Sequence, residues 1–197
     1  MNSYKFFSKL KKIIKVFERI GAYPLFFSLG LWIFFGLSLV YPIPRDATYL
    51  LFCFGIFLFF YLERKRFKEP VVSSRLFVFY GAVSVVLCLV SYLIIGNTGL
   101  KDITTVELLV AIFATPVMEE LLLKYALYRF SNAKTVHIFF WVSVVLFTLL
   151  HKDLFWLHFG FGFFTNYLYF KYRSTLLCIF VHSVFNAIVC TLYLLGF

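Results

Sequence analysis

Three short stretches of this chain place polar, chemically able side chains inside apolar surroundings. Glu119 and Glu120 are adjacent in PVMEELLLKYALY, His151 closes IFFWVSVVLFTLL with Phe147 four residues before it, and His182 precedes Asn186 by four residues in CIFVHSVFNAIV. An ionisable side chain at the centre of a membrane helix costs roughly 2.5–3.5 kcal/mol or more, so such residues persist mainly where they carry function. A carboxylate that can take a proton from water, an imidazole that can orient that water or shuttle protons, and donors for a developing oxyanion are the parts that peptide hydrolysis requires.

The two glutamates need separate roles, because neighbours on a helix point about 100° apart. Glu120 stands four residues before Lys124, the favourable order for a same-face ion pair, and is therefore expected to be structurally engaged. Glu119 is then the carboxylate left to act as general base. Pro116, three residues before Glu119, removes a backbone donor, so a kink or restart of the helix is expected there, with the glutamates in its first turn. Phe147 shares a face with His151 and is expected to wall the imidazole off from lipid. His182 and Asn186 share a face too and are expected to converge on one oxygen atom. His158, in WLHFGFGFF near Gly160 and Gly162, is a supporting candidate, whereas His137, after Lys134, reads as an interfacial residue.

These residues must be held by membrane helices. Hydrophobic residues make up 62% of the 197 positions and mean hydropathy is +0.92, more apolar surface than a soluble domain can hide. The expected fold is all-α, a polytopic transmembrane bundle of about seven spans at 22–42, 47–62, 76–96, 104–128, 136–151, 154–171 and 175–196. Residues 1–21 are expected to form a basic amphipathic interfacial helix, with Phe7, Leu10, Ile13, Ile14, Phe17 and Ile20 at near-helical spacing among lysines; this does not read as a cleavable signal peptide. Residues 22–197 then form one transmembrane domain, with the chemistry concentrated at about 104–197. Cys53, Cys88, Cys178 and Cys190 lie within spans, form no C-x-x-C pair and read as small apolar side chains.

The net charge of +10 is juxtamembrane. Basic clusters precede the first span (Lys5 to Arg19) and follow the second (Arg64 to Arg75), fourth (Arg129, Lys134) and sixth (Lys171, Arg173). Alternate connections are thus basic, which puts the N-terminus in the cytoplasm against an anionic leaflet and argues against nucleic-acid binding. Depth along the helices agrees for two of the candidates. Glu120 is nine residues from Arg129 and His182 nine from Arg173, about 13 Å from the basic face in each case.

In order and spacing the three stretches resemble the motifs of the CPBP intramembrane proteases, the family named for CAAX processing and bacteriocin processing and also called ABI. The family's E-E-x-x-x-R, F-x-x-x-H and H-x-x-x-N/D read here as EELLLK from Glu119 to Lys124, FTLLH from Phe147 to His151, and HSVFN from His182 to Asn186. The glycine-containing aromatic helix HFGFGFFTNYLYF before a short basic turn is similar as well. The resemblance covers about the C-terminal 80 residues, and residues 1–103 match only as generic spans. Lys124 departs from the usual arginine, keeping the charge but losing the planar fork.

The resemblance implies that Glu119 and His151 activate the hydrolytic water, that His182 and Asn186 support the oxyanion, and that Glu120 and Lys124 are structural support. It implies an intramembrane endopeptidase acting on a small membrane-associated peptide or prepeptide in the plasma membrane of a prokaryote, prenylated C-termini being the family's eukaryotic substrates. A non-proteolytic membrane partner or bacteriocin-immunity protein of the same family is the alternative. Metal-free catalysis is the preferred expectation; zinc, if used, would take Glu119, His151 and His182, without an H-E-x-x-H pair.

Overall fold

The computed structural model describes residues 30, 33, 51, 53–56, 61, 68–95, 104–129, 131–151 and 155–195. The interfacial helix expected over 1–21 lies outside these residues, as does most of the two spans expected over 22–42 and 47–62. All regular secondary structure among the described residues is helical. In an apolar solvent this is the economical solution, since a helix satisfies its backbone donors and acceptors within one segment.

Helix α1 runs Ser74–Ile95. A composite rod follows, in which α2 (Thr105–Leu109), π1 (Val110–Ala114), α3 (Thr115–Glu120) and π2 (Leu121–Ala126) succeed one another without a break. Then come α4 (Val136–Leu150), α5 (Phe155–Tyr172) and α6 (Thr175–Leu194). Thr104 and Glu107 start the rod with a capping box: the Thr104 hydroxyl accepts from the Glu107 amide at 3.2 Å and the Glu107 carboxylate accepts from the Thr104 amide at 2.9 Å. A tight turn joins α5 to α6, with Arg173 in the left-handed region at φ 54°.

Helix α1 packs along α6, α4 along α5, and α5 along α6; the rod rests on α6 through π1 and α3 and reaches α4 through π2. The shared core includes Leu122, Leu123, Phe147, Phe161, Leu177, Val181 and Phe185. Large apolar side chains stand on the outside of every long helix, among them Val78 on α1, Trp141 and Leu149 on α4, Trp156 and Phe163 on α5, and Leu176 on α6. Inside are Glu119, Glu120, Lys124, Asn166 and His182. Apolar exteriors around polar interiors suit a chain dissolved in lipid. One segment, Thr175–Leu192, has the length and apolarity to cross a membrane on its own among the described residues.

Candidate active site

The rod that carries the two glutamates twice leaves the α register, and each departure frees a carbonyl. At the end of π1 the Thr115 amide donates to the carbonyl of Val110, five residues back. The same spacing would next pair the Ala111 carbonyl with residue 116, which is proline and has no N–H. Asn186 on α6 supplies the missing donor, its Nδ2 lying 2.7 Å from the Ala111 oxygen. After π2 the Leu127 amide reaches the carbonyls of both Leu122 and Lys124, passing over Leu123. The Ser143 hydroxyl on α4 donates to that skipped carbonyl at 2.9 Å. Two neighbouring helices therefore hold the irregular rod in place on either side of Glu119 and Glu120. The expected break at Pro116 is a change of hydrogen-bond register within a continuous helix, and the glutamates stand at the end of α3 rather than in the first turn of a new helix.

Glu120 is fully enclosed and doubly engaged. Its Oε2 lies 3.1 Å from the Lys124 ammonium, and its Oε1 lies 3.1 Å from His182 Nδ1. Lys124 is itself completely buried, with the Phe147 ring 6.0 Å from its nitrogen. At 3.1 Å with both side chains fully buried, the Lys124–Glu120 contact is a close charge pair.

Glu119 faces the imidazoles of His151 and His182. Its Oε1 is 3.6 Å from His151 Nε2 and its Oε2 is 3.7 Å from His182 Nε2, each too long for a direct hydrogen bond. The far nitrogens decide what these Nε2 atoms present. His151 Nδ1 lies 2.9 Å from the Phe147 carbonyl, which can only accept, so Nδ1 carries the hydrogen. His182 Nδ1 is turned to the Lys124-paired carboxylate of Glu120 and donates there. In the neutral rings both Nε2 lone pairs therefore point at the carboxylate of Glu119. Acceptors facing acceptors call for a donor between them, and a water molecule with two hydrogens meets that need.

The same donor set fits a divalent ion, since metal-binding histidines characteristically donate their second N–H to a carbonyl or carboxylate, as both do here. Glu119, His151 and His182 would be its ligands, and the ion would polarise a peptide carbonyl or a bound water. Among the described residues no cluster of His, Cys, Asp and Glu is drawn together as tightly as an assembled metal site.

The His151 side chain is 25% exposed, against 3% for His182 and 2% for Glu119, so of these three groups His151 is the one that reaches the surface. His151 stands just beyond α4 with φ −113° and ψ 80°, no longer helical. The Phe147 ring packs against it at 4.6 Å between centroids and also contacts His182 at 5.5 Å. Phe147 thus touches both imidazoles and lies under Lys124.

Asn186, expected to converge with His182 on one oxygen, instead directs an N–H to the rod backbone, while His182 turns to the glutamates. His137 is exposed and packs near Phe170, apart from the others. His158 joins the site through a stack on His151, with centroids 4.3 Å apart and planes at 17°. Sequence reasoning missed Ser143, whose signal was a small hydroxyl side chain at mid-length of an apolar helix. It also left Gly160 and Gly162 undistinguished: a Cβ at Gly160 would meet open space, whereas one at Gly162 would lie 2.9 Å from Phe147 Cδ1. Gly162 is what allows the Phe147 ring to reach the site.

Residues 101–188 match the model of the family described as type II CAAX prenyl endopeptidase Rce1-like. That segment is similar to the Rce1-like family. Its members are membrane-embedded proteases, and the matched segment contains every residue of the buried polar cluster, from Glu119 to Asn186. No curated protein and no solved structure matches the chain significantly.

Proposed function

We propose that this Rce1-like chain is an intramembrane endopeptidase that cleaves a small membrane-associated peptide or prepeptide with a water activated by Glu119 and His151. The observation that carries the reading is the Glu119 carboxylate, buried and flanked by His151 Nε2 at 3.6 Å and His182 Nε2 at 3.7 Å. Glu119 takes a proton from the water as its oxygen bonds to the scissile carbonyl carbon, and His151 orients that water. The negative charge moves to the carbonyl oxygen, where the second N–H of Asn186 stabilises it, while the Nε2 lone pair of His182 helps hold the water against Glu119. Collapse breaks the C–N bond, and the departing nitrogen leaves with the proton held by Glu119. Glu120 and Lys124 keep His182 in its tautomer and orientation.

In this reading the bundle has about seven spans in the plasma membrane of a prokaryote, with a cytoplasmic N-terminus and basic loops on the anionic leaflet. Catalysis is metal-free; the donor arrangement at both histidines supports zinc as the second reading. A non-proteolytic partner or immunity role draws on a different feature, the single carboxylate contact of Lys124 where the family's arginine has a two-point fork.

The test is to incubate the purified chain in lipid nanodiscs with a panel of membrane-associated peptides, a farnesylated CAAX peptide among them, and to search for new termini by mass spectrometry. New termini that disappear in Glu119→Gln are expected. A wild-type chain that cuts no peptide, or cuts equally well as Glu119→Gln, overturns the proposal in favour of the partner role.

A further inference from the structure

His151 is the exposed member of the polar cluster and the one least constrained by its own backbone. It sits past the end of α4, so no helical turn dictates its rotamer. The hydrogen bond from Nδ1 to the Phe147 carbonyl fixes one ring atom at 2.9 Å, yet the ring can still tilt about that atom. The aim of Nε2 toward Glu119 depends on that tilt.

Two rings bear on it. Phe147 approaches at 4.6 Å with its plane inclined by 32°, whereas His158 lies nearly parallel, at 4.3 Å and 17°. His158 belongs to α5, a regular helix of 18 residues packed on both α4 and α6, so its ring is a platform mounted on a rigid element. Its contact with Phe147, at 6.2 Å, ties the three rings together.

We infer that His158 is a positioning residue that sets the plane of the His151 ring and thereby aims Nε2 at the Glu119 carboxylate. The inference rests on the proposed role of His151 in activating water. What the positioning role demands of residue 158 is a flat ring. A misplacement of about 1 Å in a reacting group can cost on the order of 10²-fold in rate.

The experiment compares His158→Ala and His158→Phe in the full-length protein in nanodiscs, with a peptide that the panel shows to be cut. His158→Ala is expected to lower kcat by about 10- to 100-fold with KM nearly unchanged, and His158→Phe to restore most of it. In parallel, 15N-histidine NMR, assigned with His151→Gln, is expected to show the His151 ring signals shifted or broadened in His158→Ala and wild-type-like in His158→Phe, with His182 unaffected in both. Full turnover in His158→Ala, failure of Phe to rescue, or unchanged His151 signals in His158→Ala each overturn the inference. If His151→Gln and Glu119→Gln also keep wild-type turnover, the proposed chemistry fails instead, and the NMR comparison still reports on the stack.

Discussion

Asn186 Nδ2 lies 2.7 Å from the carbonyl oxygen of Ala111, the acceptor whose next partner along the π-spaced rod would be Pro116. A proline in one helix and an amide in another, 70 residues apart (116 to 186), thus form a complementary pair. One lacks the donor that the other provides. This contact anchors the rod five residues before the helix reaches Pro116 and so bears on where the glutamates stand.

The pairing predicts non-additivity. Asn186→Ala leaves a part-buried carbonyl without its side-chain donor and should cost about 1–3 kcal/mol, read as a lower unfolding temperature in detergent. Pro116→Ala returns a backbone N–H to the rod, so the same Asn186→Ala change should cost clearly less in that background. Equal costs in the two backgrounds would show that Asn186 does not compensate for the proline. Turnover should still fall by on the order of 10²-fold in Asn186→Ala, because its second N–H serves the oxyanion.

The acidic pair should divide its labour. Glu119→Gln should abolish cleavage with unfolding temperature close to wild type, since its carboxylate touches no ammonium group. Lys124→Ala strands the Glu120 carboxylate in a fully buried position and should destabilise the fold by about 3–5 kcal/mol, with lower abundance in membranes. Mild and equal losses at the two sites would contradict this assignment.

Gly162→Ala tests the route by which Phe147 enters the site. The added methyl would sit 2.9 Å from Phe147 Cδ1, and the ring is completely enclosed, so either the ring or α5 must shift and the ring's contacts with His151 and His182 are disturbed. A loss of about 1–3 kcal/mol together with reduced turnover is expected. Gly160→Ala, which meets open space, is the matched control and should leave both measurements near wild type.

Metal dependence has a direct assay. For metal-free chemistry, a membrane-permeant chelator should leave turnover unchanged, and the purified protein should carry far less than one zinc per chain by elemental analysis. Activity lost on chelation and restored by zinc would make Glu119, His151 and His182 ligands, with the Nδ1 contacts of the two histidines as their outer support.

Much of the local arrangement could be read from residue spacing. The positions of α1, the rod, α4, α5 and α6 follow from the apolar runs, because a chain in lipid has few options besides helix. Four-residue spacing was enough to pair Glu120 with Lys124, and Phe147 with His151, because such neighbours share a helix face whatever the tertiary packing. Equal distances from basic ends were enough to put Glu120 and His182 at one depth, and they lie in contact at 3.1 Å.

Spacing within a helix does not say which way that helix is turned against its neighbours, and the remaining features depended on this. The sequence determined that His182 and Asn186 share a face; only the packing of α6 on the rod decided that the imidazole meets the glutamates while the amide meets the backbone of Ala111. It marked Pro116 as an irregularity, but the outcome, a shift to π spacing in a continuous helix, required the donors that α6 and α4 bring from elsewhere in the chain. It also presented Gly160 and Gly162 as alike, and His158 as one polar residue among aromatics. Their difference, and the stack of His158 on His151, exist only where α5 meets α4, since van der Waals contact is decided by which side chains face one another in space.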